Sequence, residues 1–242
     1  MKGELSVVVG ASGGIGRALI DGLCDIVGHD HVIALSRRRP TGWRDALDPI
    51  WLEADILDEE SLASAAVRIA AAGSPVRVII ASGRLSNGAV GPEKSLRDLN
   101  AAALMNLFQV NAIGPALAAK HLLPLMSRDR RSVFAVLSAR VGSIGENAVG
   151  GWYSYRAAKA ALNMILRTAA IEHRRTHPQG ICVAVHPGTV ATPLSLPFLR
   201  GSAKEHAFAP ASAASNIIGL LDQLKPEANG SFYAWDGTVI PW

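Results

Sequence analysis

Seven short, mostly apolar runs recur along the chain, at residues 5–9, 31–35, 50–52, 76–81, 132–137, 181–185 and 231–234. The longer stretches among them, at 14–28, 59–72, 97–126, 152–175 and 210–224, carry apolar residues at helical spacing. Strands that are apolar almost throughout are buried on both faces, so helices must cover both sides of their sheet. The alternation therefore predicts an α/β fold: a single doubly wound parallel sheet, Rossmann-like, with residues 1–242 as one domain. Asp58 is placed to cap the helix over 59–72. Gly114-Pro115 should bend the long stretch 97–126, because proline removes a helix hydrogen bond. Ligands of such sheets bind beyond the carboxyl ends of the strands, so chemistry is expected in the loops that follow them.

Composition narrows the class. Of 242 residues, 49% are hydrophobic and 18% charged, which excludes disorder and allows a core that needs no metal or disulfide staple. Cys24 and Cys182 are too few for a disulfide framework. No apolar run reaches the roughly 18 residues of a spanning helix, and the start of the chain enters a strand without a leader. A soluble cytoplasmic protein with no membrane contact is expected. The formal charge is +4, but the basic residues lie in separate clusters, and those at 128–131 and 174–175 read as solvated turns and helix ends. No nucleic-acid partner is expected. His173 and His177 stand four apart at a basic helix end, a poor basis for a metal site. Trp152, Trp235 and Trp242 read as core or interface residues.

The first strand runs into Gly10-Ala-Ser12-Gly-Gly14-Ile15-Gly16. Glycines there let the backbone turn tightly and approach a pyrophosphate, whose charge is favoured by the amides of a helix start. A Walker loop would end in glycine-lysine, which is missing. A nucleophile elbow at Ser12 would need an earlier strand to supply its oxyanion hole, and only nine residues precede Gly10. The second strand ends in Ser36, Arg37 and Arg38 with no acidic residue. These donors suit a ribose 2′-phosphate, so NADP(H) is preferred and NAD(H) possible.

Tyr155 and Lys159 stand four apart near the start of the helix over 152–175, on one face. A neighbouring ammonium lowers a phenol's pKa from its usual value of about 10, which would let Tyr155 exchange a proton with a carbonyl or hydroxyl. Tyr153 has no such partner, because Ala157 stands four residues on.

Over essentially its whole length the sequence resembles the classical short-chain dehydrogenase/reductase family. The residues that carry the likeness are Gly10, Gly14 and Gly16, Asp55, Asn111, Tyr155 and Lys159, and the motif His186-Pro187-Gly188-Thr189-Val190-Ala191-Thr192. The stretch from Ser138 to Tyr155, and the ending from Phe232 to Trp242, look like the C-factor or sniffer-type carbonyl-reductase branch. The resemblance implies that Tyr155 is the general acid in reduction and the base in oxidation. Lys159 would lower its pKa and hold the nicotinamide ribose, and Asn111 would anchor a water that resupplies protons. Asp55 and Ile56 would meet the adenine. Gly83 would lie beside the cofactor, with Pro187, Gly188, Val190 and Thr192 around the nicotinamide.

Two departures stand out. A substrate-binding serine is expected three residues before Gly142, where Ala139 stands. Ser138 is assigned the role, with Ser143 its competitor. Neighbouring strand residues face opposite ways, so Ser138 can serve only if the strand has already ended. The family's Asn-Asn-Ala-Gly is replaced by Ile80-Ala-Ser-Gly83. The implied substrate is a small carbonyl or alcohol, in a pocket given an apolar lining by Leu194, Leu196, Phe198 and Leu199. The implied assembly is a homodimer or homotetramer built on the two long helices. A catalytically silent dinucleotide-binding protein with a regulatory role is the alternative.

Overall fold

The computed structural model describes residues 4–43, 48–86 and 91–242. Its seven strands are β1 (Ser6–Val9), β2 (Val32–Ser36), β3 (Ile50–Glu53), β4 (Arg77–Ile80), β5 (Ser132–Leu137), β6 (Gly180–His186) and β7 (Ser231–Ala234). They pair in parallel in the order β3-β2-β1-β4-β5-β6-β7. Successive side chains alternate between two core layers. Val7 and Val9 join the layer under α2 (Glu59–Ala72), α4 (Gly114–Leu122) and α5 (Tyr153–Arg174). Val8 joins the layer under α1 (Gly14–Val27) and α7 (Pro210–Gln223). Two smaller helices, α3 (Ala101–Phe108) and α6 (Ser202–Glu205), complete the set named here. Cys182 and Cys24 are buried free thiols in opposite layers, so the sheet itself keeps them apart. Burial raises them to about 12 and about 11 respectively.

Local chemistry explains the boundaries. Asp58 caps α2 as expected, its Oδ1 accepting from the amides of Glu60 (3.0 Å) and Ser61 (3.2 Å). The stretch 97–126 departs from expectation. Its irregularity is a π-helical turn over Gln109–Ile113, just before the proline rather than at it. Pro115 falls in the first turn of α4, where a missing amide proton costs little. The helical run from Ala101 to Leu125 is also long and apolar enough by composition to cross a membrane, contrary to the sequence reading. Here it lies against α2, α5 and the sheet, burying Leu107, Asn111, Ala118 and Leu122. Gly114 makes that packing possible, since a Cβ there would stand 2.9 Å from Ile56.

At the far end of α5, the rings of His173 and His177 stack with centroids 3.9 Å apart over Gly180. Burial first, and then the neighbouring ring, depresses His173 to about 4; burial also lowers His177. His186, at the end of β6, is held near 4, mainly by burial. A base with a depressed folded pKa stays neutral while the unfolded chain takes up protons. Stability is therefore full above the unfolded value of about 6.5 and is lost as pH falls toward about 4. The urea-unfolding free energy should drop by a few kcal/mol between about pH 7 and pH 4.5. His173→Gln should flatten that slope, and an unchanged slope would show that the stacked pair does not control it.

Candidate active site

A cleft opens at the carboxyl ends of β1 to β4. The loop 10–15 forms its floor, including Gly10, Ser12, Gly14 and Ile15. Ser36 and Arg37 line one side, Asp55 and Ile56 another, and Gly83 and Thr192 close toward the centre. Gly10 has φ +91°, and a Cβ on it would come 2.8 Å from the Ser82 amide nitrogen. Gly16 lies beneath the loop, where a Cβ would be 2.2 Å from the Gly10 carbonyl oxygen. No other residue fits either position. Pro187, Gly188 and Val190 do not line this cleft. Val190 is buried and bridged to Phe208, so of the motif after β6 only Thr192 reaches it.

The cleft is built for an anion. α1 begins at Gly13 with no side-chain cap and no acid in its first turn, so its amides face outward without an internal partner. Arg37 is exposed and forms no ion pair among the described residues. Ser36 departs from expectation. Its hydroxyl donates to the Arg38 carbonyl (2.7 Å) and accepts from Trp51 Nε1 (3.1 Å). It therefore shapes the basic turn and is not a free phosphate donor. Asp55 organises the next loop, its Oδ1 accepting from the Leu57 amide at 3.0 Å.

Tyr155 and Lys159 sit where α5 meets the end of β5. Lys159, 3% exposed, donates from Nζ to the Leu137 carbonyl at 2.8 Å. One turn earlier, the Tyr155 ring has its centroid 5.8 Å from that nitrogen. The Tyr155 hydroxyl makes no hydrogen bond among the described residues. Asn111 is fully buried in the π-helical turn. Its Oδ1 accepts from the Arg84 amide (3.0 Å), and its Nδ2 donates to the carbonyls of Arg84 (2.8 Å) and Leu107 (3.0 Å). Asn111 and Lys159 flank Gly83: a Cβ there would lie 3.3 Å from the Asn111 oxygen and 3.9 Å from the Lys159 nitrogen. Burial raises the Tyr155 phenol above its ordinary value and lowers Lys159 to about 7. In the chain alone, burial acts on the phenol in the direction opposite to the acidification expected from the sequence, because desolvation disfavours the phenolate.

A family profile described as short chain dehydrogenase matches residues 4–200. The chain belongs to that family. It is accordingly an oxidoreductase, with the sheet and loop geometry that the family uses. It is 33% identical over 170 residues to the C-signal of Myxococcus xanthus, covering 69% of this chain and 93% of that protein. It is 31% identical over 191 residues to the 1-hydroxy-2-glutathionyl-2-methyl-3-butene dehydrogenase of Rhodococcus sp. (strain AD45), covering 78% of each. Among solved structures, the carbonyl reductase Sniffer of D. melanogaster has a TM-score of 0.83 at 21% identity, covering 99% of this chain and 100% of that one. NADPH-bound carbonyl reductase from chicken fatty liver gives 0.81 at 22% identity, with the same coverage. At such identities the likeness speaks for the fold.

Within this short-chain dehydrogenase neither serine presents a free hydroxyl to the cleft. Ser138 is buried and donates to Asn163 Oδ1 at 2.7 Å. Ser143 is bound to the Pro241 carbonyl and accepts from the Glu146 amide (3.2 Å), which ties down the carboxyl-terminal segment. The assignment of Ser138 as substrate donor is therefore corrected. The backbone stays extended through Ala139 (φ −147°, ψ 144°) beyond the end of β5, and the Ser138 hydroxyl is turned to Asn163 of α5. Asn163 itself was legible, eight residues beyond Tyr155 on the same helix face. Arg84, which lines the cleft and donates to Asn106 Oδ1 at 2.8 Å, carried no sequence signal.

Ser138→Ala should leave kcat/KM within about three-fold, since no oxyanion donor is removed. It should lower stability by roughly 1–3 kcal/mol by stranding Asn163. A loss of activity beyond about a hundred-fold with unchanged thermal stability would return Ser138 to the catalytic set.

Proposed function

We propose that this short-chain dehydrogenase transfers hydride between NADP(H), with NAD(H) as the weaker partner, and a small carbonyl or alcohol substrate. The observation that carries the reading is the unpaired Tyr155 hydroxyl one helical turn from Lys159, whose nitrogen lies beside Gly83 of the glycine-loop cleft. The cleft suits a dinucleotide on its own features. It has uncapped α1 amides, a loop whose close approaches admit only glycine, and the buried Ser82 hydroxyl, which has no partner among the described residues. Gly10, Ser12, Gly14, Ile15 and Gly16 would cradle the pyrophosphate, and Arg37 would meet a 2′-phosphate. Asp55 and Ile56 would border the adenine, and Gly83 and Thr192 the nicotinamide end. When bound, the cofactor supplies the hydride.

The chain's own residues handle the proton. In reduction the carbonyl carbon gains hydride while its oxygen takes the proton of Tyr155. The high phenol pKa keeps that acid loaded through the neutral range. The Lys159 ammonium stabilises the resulting phenolate, and Asn111, across Gly83 from it, supports reprotonation from solvent. Oxidation needs the phenolate at the outset, so its rate should climb from about pH 7 to about pH 10 while reduction stays level. Identical pH profiles in the two directions would rule out Tyr155 as the shared proton carrier.

Two substitutions test the assignments. Tyr155→Phe should cut carbonyl-dependent NADPH oxidation by at least about a hundred-fold while cofactor binding persists. Equal rates in the two proteins would favour the silent dinucleotide-binding alternative. Arg37→Ala should weaken NADPH binding by roughly ten-fold or more and NADH binding hardly at all. Equal effects in a titration would remove the preference for the phosphorylated cofactor. Exposed apolar residues on the two long helical stretches, Met105, Ile113, Met164 and Ile171, support a homodimer or homotetramer. The buried free thiols suit the reducing cytoplasm.

A further inference from the structure

The loop before Tyr155 contains three consecutive residues with left-handed backbone: Gly150 (φ 68°), Gly151 (φ 65°) and Trp152 (φ 52°, ψ 42°). Among the described residues Trp152 is the one non-glycine with positive φ. Glycine adopts this conformation freely, whereas a bulky side chain does so at a cost and persists only where its surroundings over-determine it. Those surroundings are visible. The Trp152 amide donates to the Glu93 carbonyl at 2.6 Å. The buried Glu93 carboxylate accepts from both the amide and the hydroxyl of Ser154 at the start of α5. Arg156 binds the carbonyls of Gly150 (3.0 Å) and Gly151 (2.9 Å) from the other side.

Held this way, the indole is half-buried in the loop and lies outside the two core layers. Its ring meets Tyr155 edge to face, with centroids 6.3 Å apart at 66°, and meets Phe198 in the same manner at 6.2 Å and 66°. Phe198 belongs to the loop after β6, and it approaches Gly91 of the loop after β4. Loops from three strand ends therefore converge on one indole beside the proposed proton donor. Edge-to-face contacts are selective for flat π-systems in a way that aliphatic packing is not.

We propose that Trp152 and Phe198 form an aromatic wall that selects substrates carrying a planar aryl ring next to the reacting carbonyl, with Glu93 as the positioning residue that holds Trp152 in place. The inference rests on the reading of Tyr155 as the proton carrier and adds the substrate class. Two aldehydes of similar size, benzaldehyde and cyclohexanecarbaldehyde, separate flatness from mere hydrophobicity. The wild type should favour the aryl aldehyde in kcat/KM by roughly five- to ten-fold. Trp152→Gly, the substitution this backbone accepts best, should collapse the ratio toward one. Trp152→Phe should restore most of it, and Phe198→Ala should lower it without touching the left-handed residue. A wild-type ratio near one, or a ratio that survives both Trp152→Gly and Phe198→Ala, overturns the proposal. Calorimetric binding of benzaldehyde to the Tyr155→Phe protein gives a readout without turnover. Weakening there on Trp152→Gly supports the aromatic wall even if turnover is absent, in which case only the reading of Tyr155 fails. Turnover with benzaldehyde binding and preference both indifferent to Trp152 sinks the wall alone.

Discussion

The Lys159 amine is removed from water, and its hydrogen bond to the last carbonyl of β5 is the condition on which the site's geometry hangs. A buried cation without such a partner would be strongly destabilising. The bond therefore locks the rotation and height of α5 against the centre of the sheet. Once that register is set, the neighbours on the same helix face follow. Tyr155 stands one turn nearer the start of α5, and Asn163 stands one turn beyond, where it engages Ser138. The fit is close on the opposite side too, because a Cβ on Gly142 would stand 2.8 Å from that of Lys159. A shift of α5 by a single residue would break all of these contacts together.

The two halves of the site are made from different materials. The cofactor half depends on backbone: uncapped amides at the start of α1 and glycines whose missing side chains leave room for close approach. The half around Tyr155 depends on side chains from loops that follow β4, β5 and β6, brought together by Glu93, Trp152 and Phe198. Loops at strand ends can vary without disturbing the sheet, which is how one scaffold carries many specificities. The replacement of a serine by Ala139 fits that division. It leaves the Lys159 anchor in place.

Much of this was readable from the chain because it is governed by local rules. The span of β5 (Ser132–Leu137) follows from a continuous apolar run, and that of α2 from helical spacing begun by a capping aspartate. The pairing of Tyr155 with Lys159 needs only the pitch of a helix. Other features were not readable. The Ser138 hydroxyl was claimed by Asn163, twenty-five residues away. The Ser36 hydroxyl was claimed by Trp51, fifteen residues away. The sign of the shift at Tyr155 was set by how deeply two neighbouring groups were buried, which spacing alone does not convey.

By itself the amino-acid order determined the alternation of strands and helices, the glycine turn after β1 and the placing of Tyr155 and Lys159 on one helix face. These rest on side-chain periodicity and on intrinsic backbone freedom, both local properties. Only the tertiary structure decided which hydroxyls remain unengaged, why a tryptophan adopts a left-handed backbone, and which ionisable groups lie out of water. Those outcomes depend on partners remote in sequence, such as Glu93 with Ser154 and Pro241 with Ser143. Hydrogen-bond competition and desolvation are settled by distance in space, and that distance exists only once the chain has folded.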